Sequence, residues 1–200
     1  PMKAKYYVVL FILRKPRSPQ EQALKEWGAV GPCPYPYLWV RDYRKQMRSV
    51  SIQSQNGLPY IWHQGKKLFF RRGSKRKDIL DNYLGLLIEQ DERCAHRYVK
   101  SYSELGRDDV LLDIGSAEGI FTLDVIDGIK KAYLFECEEP WIEALEATFE
   151  PWKEKIVIVK KYVSDTDDEK NLRLDTFFRD KSTDNLFFKM DIEGYERKAL

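Results

Sequence analysis

The stretch from Asp109 to Phe121, D-V-L-L-D-I-G-S-A-E-G-I-F, leaves little freedom in what it can become. Val110 to Ile114 is a short apolar run stopped by Gly115, and the apolar residues that follow, Ile120, Phe121, Leu123, Val125 and Ile126, recur at helical spacing. A strand that passes through a glycine turn into a helix is a βα unit, and such units build parallel sheets. Gly115 and Gly119 remove Cβ atoms where the chain must turn and let a ligand approach the main chain. The helix start is expected to offer unpaired N–H groups to a carboxylate or a phosphate.

Three kinds of nucleotide ligand use turns of this type. The NAD fingerprint G-x-G-x-x-G is not met, because the spacing here is G-x-x-x-G with Asp113 two residues ahead of Gly115. The phosphate loop needs a Lys after its last glycine, and Gly119 is followed by Ile120. The remaining pattern is an acidic residue, then G-x-x-x-G. A plain βα turn with no ligand fits it too, so a second feature has to decide. Glu136 ends the next strand, 23 residues after Asp113. That is close to the interval of roughly 20 residues at which a Rossmann-type unit places an acid on the ribose hydroxyls.

Two hundred residues suffice for one domain with a small extension, and 43% hydrophobic with 33% charged residues is globular in kind. Cys33, Cys94 and Cys137 are odd in number and widely spaced, which implies a reduced, cytoplasmic setting and no metal site. The net charge of +2 conceals a division: residues 1–77 carry 17 Lys/Arg and 3 Asp/Glu, and residues 78–200 carry 17 and 29. The expected organisation is therefore a basic N-terminal extension over 1–77 and an acidic Rossmann-like domain over 78–200. A basic segment meets nucleic acid, an anionic surface or substrate, or the acidic half of its own chain.

Along the extension, Tyr6 to Leu13 is an apolar run too short to span a bilayer, and it reads as a strand or docking segment. Ser18-Pro-Gln-Glu21 is a capping box that starts a helix expected to stop at Gly28 or Gly31. Pro32, Pro34 and Pro36 suit an extended connector. Val50 to Gln53, Pro59 to His63 and Leu68 to Phe70 read as strands, the last two joined at Gln64-Gly65 as a hairpin. His63 is either a base or ligand, or a lone histidine on that hairpin. Lys66, Lys67, Arg71 and Arg72 alternate with aromatic rings there, a mixture found in single-stranded nucleic-acid binders but equally in a solvated turn.

Helices are expected from about Ser74 and over Tyr98 to Leu105, and another over Glu139 to Trp152. Strands are expected over Ala132 to Phe135, Ile156 to Val159 and Leu186 to Ile192. In the last of these Lys189, Asp191 and Glu193 alternate with Met190 and Ile192, so period two puts the three on one face. A charge inside an apolar strand needs a partner or a site, so either Lys189 pairs with Asp191 or the group does chemistry.

Four blocks, Asp113-Ile-Gly-Ser116-Ala-Glu-Gly119, Leu134-Phe-Glu136, Val163-Ser164-Asp165 and Phe188-Lys189-Met-Asp191-Ile-Glu193-Gly-Tyr-Glu196, resemble the successive motifs of FkbM-type methyltransferases. The resemblance covers about residues 79–200. It implies an α/β fold with a Rossmann-like class I methyltransferase sheet, here limited to its first four strands, and S-adenosyl-L-methionine as cofactor. It places Asp113, Gly115, Ser116 and Gly119 at the cofactor turn, Glu136 on the ribose, and Ser164 and Asp165 at the adenine. Lys189 would meet the substrate and Asp191 and Glu193 would stand where the methyl group is presented, with His96 in the polar stretch 89–96 as the alternative base. An incomplete sheet would leave the strand of Leu186, Phe187 and Phe188 on an open edge, suited to a second copy of the chain.

The expected activity is methylation of a hydroxyl oxygen on a sugar or other small metabolite, with neither a membrane nor nucleic acid as partner. The competing expectations are an RNA methyltransferase or RNA-binding protein that uses the basic half, and a fragment that binds cofactor without catalysis.

Overall fold

The computed structural model describes residues 15, 18–30, 37–192 and 194–199. The apolar run 6–13 and the proline connector 32–36 lie outside the described residues, as does Glu193. The chain forms two compact units, one drawn from residues up to Val50 together with Leu80–Cys94, the other from Ser51–Ile79 together with Ala95–Leu200.

The first unit holds helix α1, Pro19–Val30, and helix α2, Val40–Gln46. The amide of Glu21 donates to Ser18 Oγ at 3.1 Å, the cap expected there. Helix α1 continues through Gly28, which costs a helix interior only about 1 kcal/mol. Val40 and Ile88 are buried among Tyr37, Trp39, Tyr43 and Leu84. Ile88 belongs to helix α3, Arg76–Glu89, whose first residues are part of the second unit. Tyr43 donates its hydroxyl to Asp91 Oδ2 at 2.7 Å, and the Arg93 guanidinium grips the same carboxylate at 2.8 and 2.7 Å while lying 4.5 Å over the Trp39 ring.

The second unit opens with an antiparallel meander, β1 (Gln53–Gln55), β2 (Leu58–His63) and β3 (Lys66–Phe69). Both of its turns have two residues with positive φ, Asn56 at 52° with Gly57 at 78° and Gln64 at 49° with Gly65 at 79°. Their twist matches that of the strands they join, which is why such turns close hairpins. The first strand starts later than expected because Asn56-Gly57 fixes the register Gln53 to Tyr60.

Next come β4 (Val110–Ile114), α4 (Ile120–Val125), β5 (Lys131–Phe135), α5 (Glu139–Phe149) and β6 (Ile156–Val159). A short pair β7 (Tyr162–Val163) and β8 (Asn171–Leu172), helix α6 (Leu174–Phe178), β9 (Leu186–Met190) and α7 (Glu196–Ala199) complete the unit. The sheet order is β6-β5-β4-β9 and every pairing is parallel. This is a Rossmann-like arrangement in which the chain reverses direction of growth at β4. Alternate residues of β4 serve opposite faces. Leu112 and Ile114 pack with Phe135, Val163 and Phe177, while Leu111 and Asp113 are buried on the other side.

Three further expectations change. The helix over 98–105 is one 3₁₀ turn, Tyr102–Glu104, held by a capping box between Ser101 and Glu104. Helix α5 ends at Phe149 and gives way to a 3₁₀ turn at Glu150–Trp152, because Pro151 cannot continue the amide ladder. Strand β9 ends at Met190, two residues early, although the Asp191 amide still donates to the Ile114 carbonyl at 3.0 Å. Among the described residues β9 is an edge of its sheet, with Phe188 45% exposed. No helix of the described residues is long and apolar enough to cross a membrane.

Candidate functional site

The carboxyl ends of β4, β5 and β9 meet at the turn 115–119. Gly115, Ala117 and Gly119 have φ of 74°, 44° and 75°, so the turn is left-handed at alternate residues. The amides of Gly115 and Ser116 both donate to the Phe135 carbonyl, at 3.1 and 3.2 Å, which fixes the turn to the end of β5. Gly119 donates to the Ser116 carbonyl at 2.7 Å and Ala117 to Glu136 Oε2 at 3.0 Å. The unpaired amides expected at the helix start are thus absent at these four positions. The Phe135 and Ser116 carbonyls and the Glu136 carboxylate satisfy them.

The glycines also answer to packing. A Cβ on Gly115 would lie 2.0 Å from the Asp191 carbonyl oxygen, and one on Gly119 would lie 2.7 Å from Leu145 Cδ2 and 2.8 Å from Phe149 Cε2. Gly115 therefore brings β9 against the turn, and Gly119 seats α5. Ser116 is buried, its hydroxyl 3.4 Å from the Phe135 carbonyl.

Asp113 is buried, 1% exposed. Its Oδ2 accepts from Thr122 Oγ1 at 2.7 Å, and its Oδ1 lies 3.0 Å from Lys189 Nζ on the neighbouring strand. Lys189 gives its hydrogen bond to the Gly115 carbonyl at 2.7 Å, so Oδ1 has the ammonium's charge close by but no aligned hydrogen bond. The pairing of Lys189 with Asp191 weighed from the alternation does not occur. Asp191 accepts instead from the Tyr98 hydroxyl at 2.6 Å and is exposed.

Glu136 stands at the end of β5, half-buried. Oε1 accepts from the amides of Cys137 at 2.8 Å and Glu138 at 2.9 Å, and Oε2 from Ala117. A carboxylate has about four lone-pair sites, so one on Oε2 stays open. Tyr162 flanks this carboxylate electrostatically. Its ring is 54% exposed and its hydroxyl is pushed up to about 12, first by a hydrogen bond with Cys137 and then by that group's charge. Ser164 and Asp165 follow one step later. The Ser164 amide donates to Leu172 and its hydroxyl to Asp165 Oδ1 at 3.1 Å. His96 is exposed on the turn segment that precedes the 3₁₀ helix. Tyr98 and Tyr162 are absent from the sequence-derived set, since an aromatic residue in a polar loop carries no pattern of its own.

His63 is buried at the hairpin's seam with α4. Its Nε2 lies 2.7 Å from Asp124 Oδ1, and Tyr102 donates to Oδ2 of the same carboxylate at 2.6 Å. Burial first, and then the Asp124 charge, holds the Tyr102 hydroxyl far above its ordinary range. The cations of the hairpin meet acids of the same unit: Lys66 with Asp127 at 2.7 Å, Arg71 with Glu138 at 3.8 Å and Arg72 with Glu143 at 3.2 Å.

No family model and no curated protein matches the sequence. Among solved structures, the chain resembles the crystal structure of methyltransferase FkbM from Methylobacillus flagellatus KT, with a TM-score of 0.39 and 13% sequence identity. The match covers 88% of this chain and 46% of that one, so this chain spans about half the length of the protein it resembles.

Proposed function

We propose that the chain is an S-adenosylmethionine-dependent methyltransferase acting on a hydroxyl oxygen of a sugar or other small metabolite. The observation that carries the reading is the joint between Glu136 and the glycine turn. A partly buried carboxylate with one open acceptor site stands at the carboxyl end of β5, bound to Ala117 of the turn that ends β4. In open α/β sheets ligands bind outside the carboxyl ends of strands where the chain reverses its direction of growth.

Glu136 accepts a ribose hydroxyl at Oε2, and the exposed Tyr162 ring beside it offers a face to a planar base. When bound, the cofactor supplies an electrophilic methyl group on a sulfonium. Asp191, whose main chain lies against Gly115, takes the proton of the substrate hydroxyl as that oxygen becomes nucleophilic. Tyr98 holds the Asp191 carboxylate in one orientation, leaving Oδ1 for the substrate. Positioning of the two reactants and base assistance to the hydroxyl are what such a transfer asks of a protein. The engagement of Lys66, Arg71 and Arg72 by acidic side chains favours a small acceptor over RNA.

A crystal of the protein grown with S-adenosylhomocysteine tests the reading. The expected result is ribose density within hydrogen-bonding distance of Glu136. Ligand density at another edge of the sheet, with Glu136 untouched, would overturn it.

A further inference from the structure

A groove of about 490 Å³ lies between the hairpin and the end of α5, built wholly from the second unit. Its existence follows from β2. Leu58, Tyr60 and Trp62 share one face of that strand. Leu58 and Tyr60 pack with Ala144, Trp141 and Ala147 of α5, but Trp62 lies past this cover and is 52% exposed. Trp152, on the 3₁₀ turn after α5, also lines the groove, its Nε1 held by Asp127 at 2.9 Å. Trp62 meets the Tyr60 ring edge-on at 6.1 Å and has the Lys67 ammonium 5.7 Å from its centroid, yet half of it stays open to the groove, whereas Tyr60 on the same face is buried.

Three of the four charged side chains that line the groove have ionic partners, and the fourth, Lys67, binds a neutral amide. Lys66 is spent on Asp127 and on the Leu123 carbonyl, at 2.7 and 2.8 Å, and Lys67 on Gln55 Oε1 at 2.7 Å. Glu146 and Glu150 face Lys160 and Lys153 from the surface at 3.1 and 3.7 Å. Two cations and two carboxylates line the groove, so it carries no net charge with which to hold a phosphate. It offers indole surface, the amides of Gln55 and Asn56, and carboxylate oxygens that accept from hydroxyls.

We propose that this groove is a binding site for a neutral saccharide of about disaccharide size. The apolar face of a pyranose ring would lie on Trp62, and its hydroxyls would donate to Glu146 and Glu150 and exchange hydrogen bonds with the amides. The volume lies within the roughly 300 to 1,000 Å³ of small-molecule sites. The site is separate from the Glu136 turn and does not depend on methyl transfer. A single-stranded nucleic acid would need a row of cations along its backbone, and the groove has two lysines set against two carboxylates, with Lys66 already paired to Asp127.

The test is a calorimetric and saturation-transfer NMR titration of the full chain with maltose, cellobiose, lactose and N,N′-diacetylchitobiose, and with an oligothymidylate as the anionic rival. At least one disaccharide is expected to saturate with a dissociation constant insensitive to salt. Trp62→Ala should weaken that binding about tenfold or more, and Glu146→Gln should weaken it as well. Trp62 and Glu146 are exposed, and circular dichroism confirms that each variant is folded before its titration is read. Absence of binding by all four disaccharides overturns the proposal. So does disaccharide binding that both folded variants retain, or salt-sensitive oligothymidylate binding that Trp62→Ala abolishes.

Discussion

Lys189 reaches across from β9 to Asp113 on β4, ammonium to carboxylate at 3.0 Å, with both side chains buried and the register of the two strands placing them opposite each other. The same ammonium donates to the Gly115 carbonyl, so one side chain ties the edge strand to the turn.

Removing one partner of a buried pair strands the other, at a cost of about 3 to 5 kcal/mol. Lys189→Met is therefore expected to lower unfolding free energy by that amount in urea. Lys45→Met, which breaks the exposed 3.5 Å pair with Asp42, should stay within about 0.5 kcal/mol of wild type. Equal small losses in the two variants would mean that Lys189 is hydrated and the pair is not structural.

Gly115→Ala and Gly65→Ala both force a left-handed residue, which costs roughly 1 to 2 kcal/mol. Only at Gly115 does the new Cβ meet backbone, 2.0 Å from the Asp191 oxygen, whereas nothing lies within 4 Å at Gly65. Thermal melts should show Gly115→Ala as clearly the worse of the two. Parity between them would mean that β9 yields freely at Asp191.

In the first unit, hydrogen bonds from Arg93 hold the Asp91 carboxyl well below its ordinary value of 3.8, against the opposing effect of burial. A carboxyl whose folded pKa is depressed contributes stability that is complete above the unfolded value and is lost as pH falls toward the folded one. Stability should therefore decline from about pH 4 downward, and Asp91→Asn should flatten that decline in urea midpoints measured from pH 6 to pH 2. The Tyr43 hydroxyl, pushed up to about 12 chiefly by burial, gives the opposite arm. Its contribution is present below about pH 10 and disappears as pH rises toward 12, an effect that Tyr43→Phe removes.

The βα turn and the order of its blocks were legible because the hydrophobic period changes at Gly115, and β5 and β6 were legible as short apolar runs. Other features were present as local signals with clear physics. Asn56-Gly57 marks a hairpin turn, and Ser101 with Glu104 marks where the short 3₁₀ turn begins. The partner of Lys189 was not legible. Alternation along β9 says that a charge faces inward, but Asp113 reaches it across strands, and nothing within residues 186–192 names a partner 76 positions away. The burial of His63 was hidden for the same reason, since Asp124 lies on a helix distant in sequence.

At Glu136, three of the accepted hydrogen bonds come from the protein, so removing the side chain loosens the loop as well as any ligand. One hydrogen bond to a charged group contributes about 1.5 to 3 kcal/mol. Glu136→Ala should then raise the dissociation constant for S-adenosylhomocysteine roughly tenfold or more by calorimetry. An unchanged affinity in a folded variant would place the ribose away from Glu136.

The most direct test of the central claim, that the turn 115–119 with Glu136 receives S-adenosylmethionine, is a thermal melt with S-adenosylhomocysteine or NAD added. A ligand that binds only the folded state, at a hundredfold excess over its dissociation constant, stabilises by about 2.7 kcal/mol. For a chain of this size that is a rise in Tm of about 5 to 10 °C. S-adenosylhomocysteine is predicted to produce it and NAD to leave the melt unchanged; a rise with NAD and none with S-adenosylhomocysteine would contradict the account.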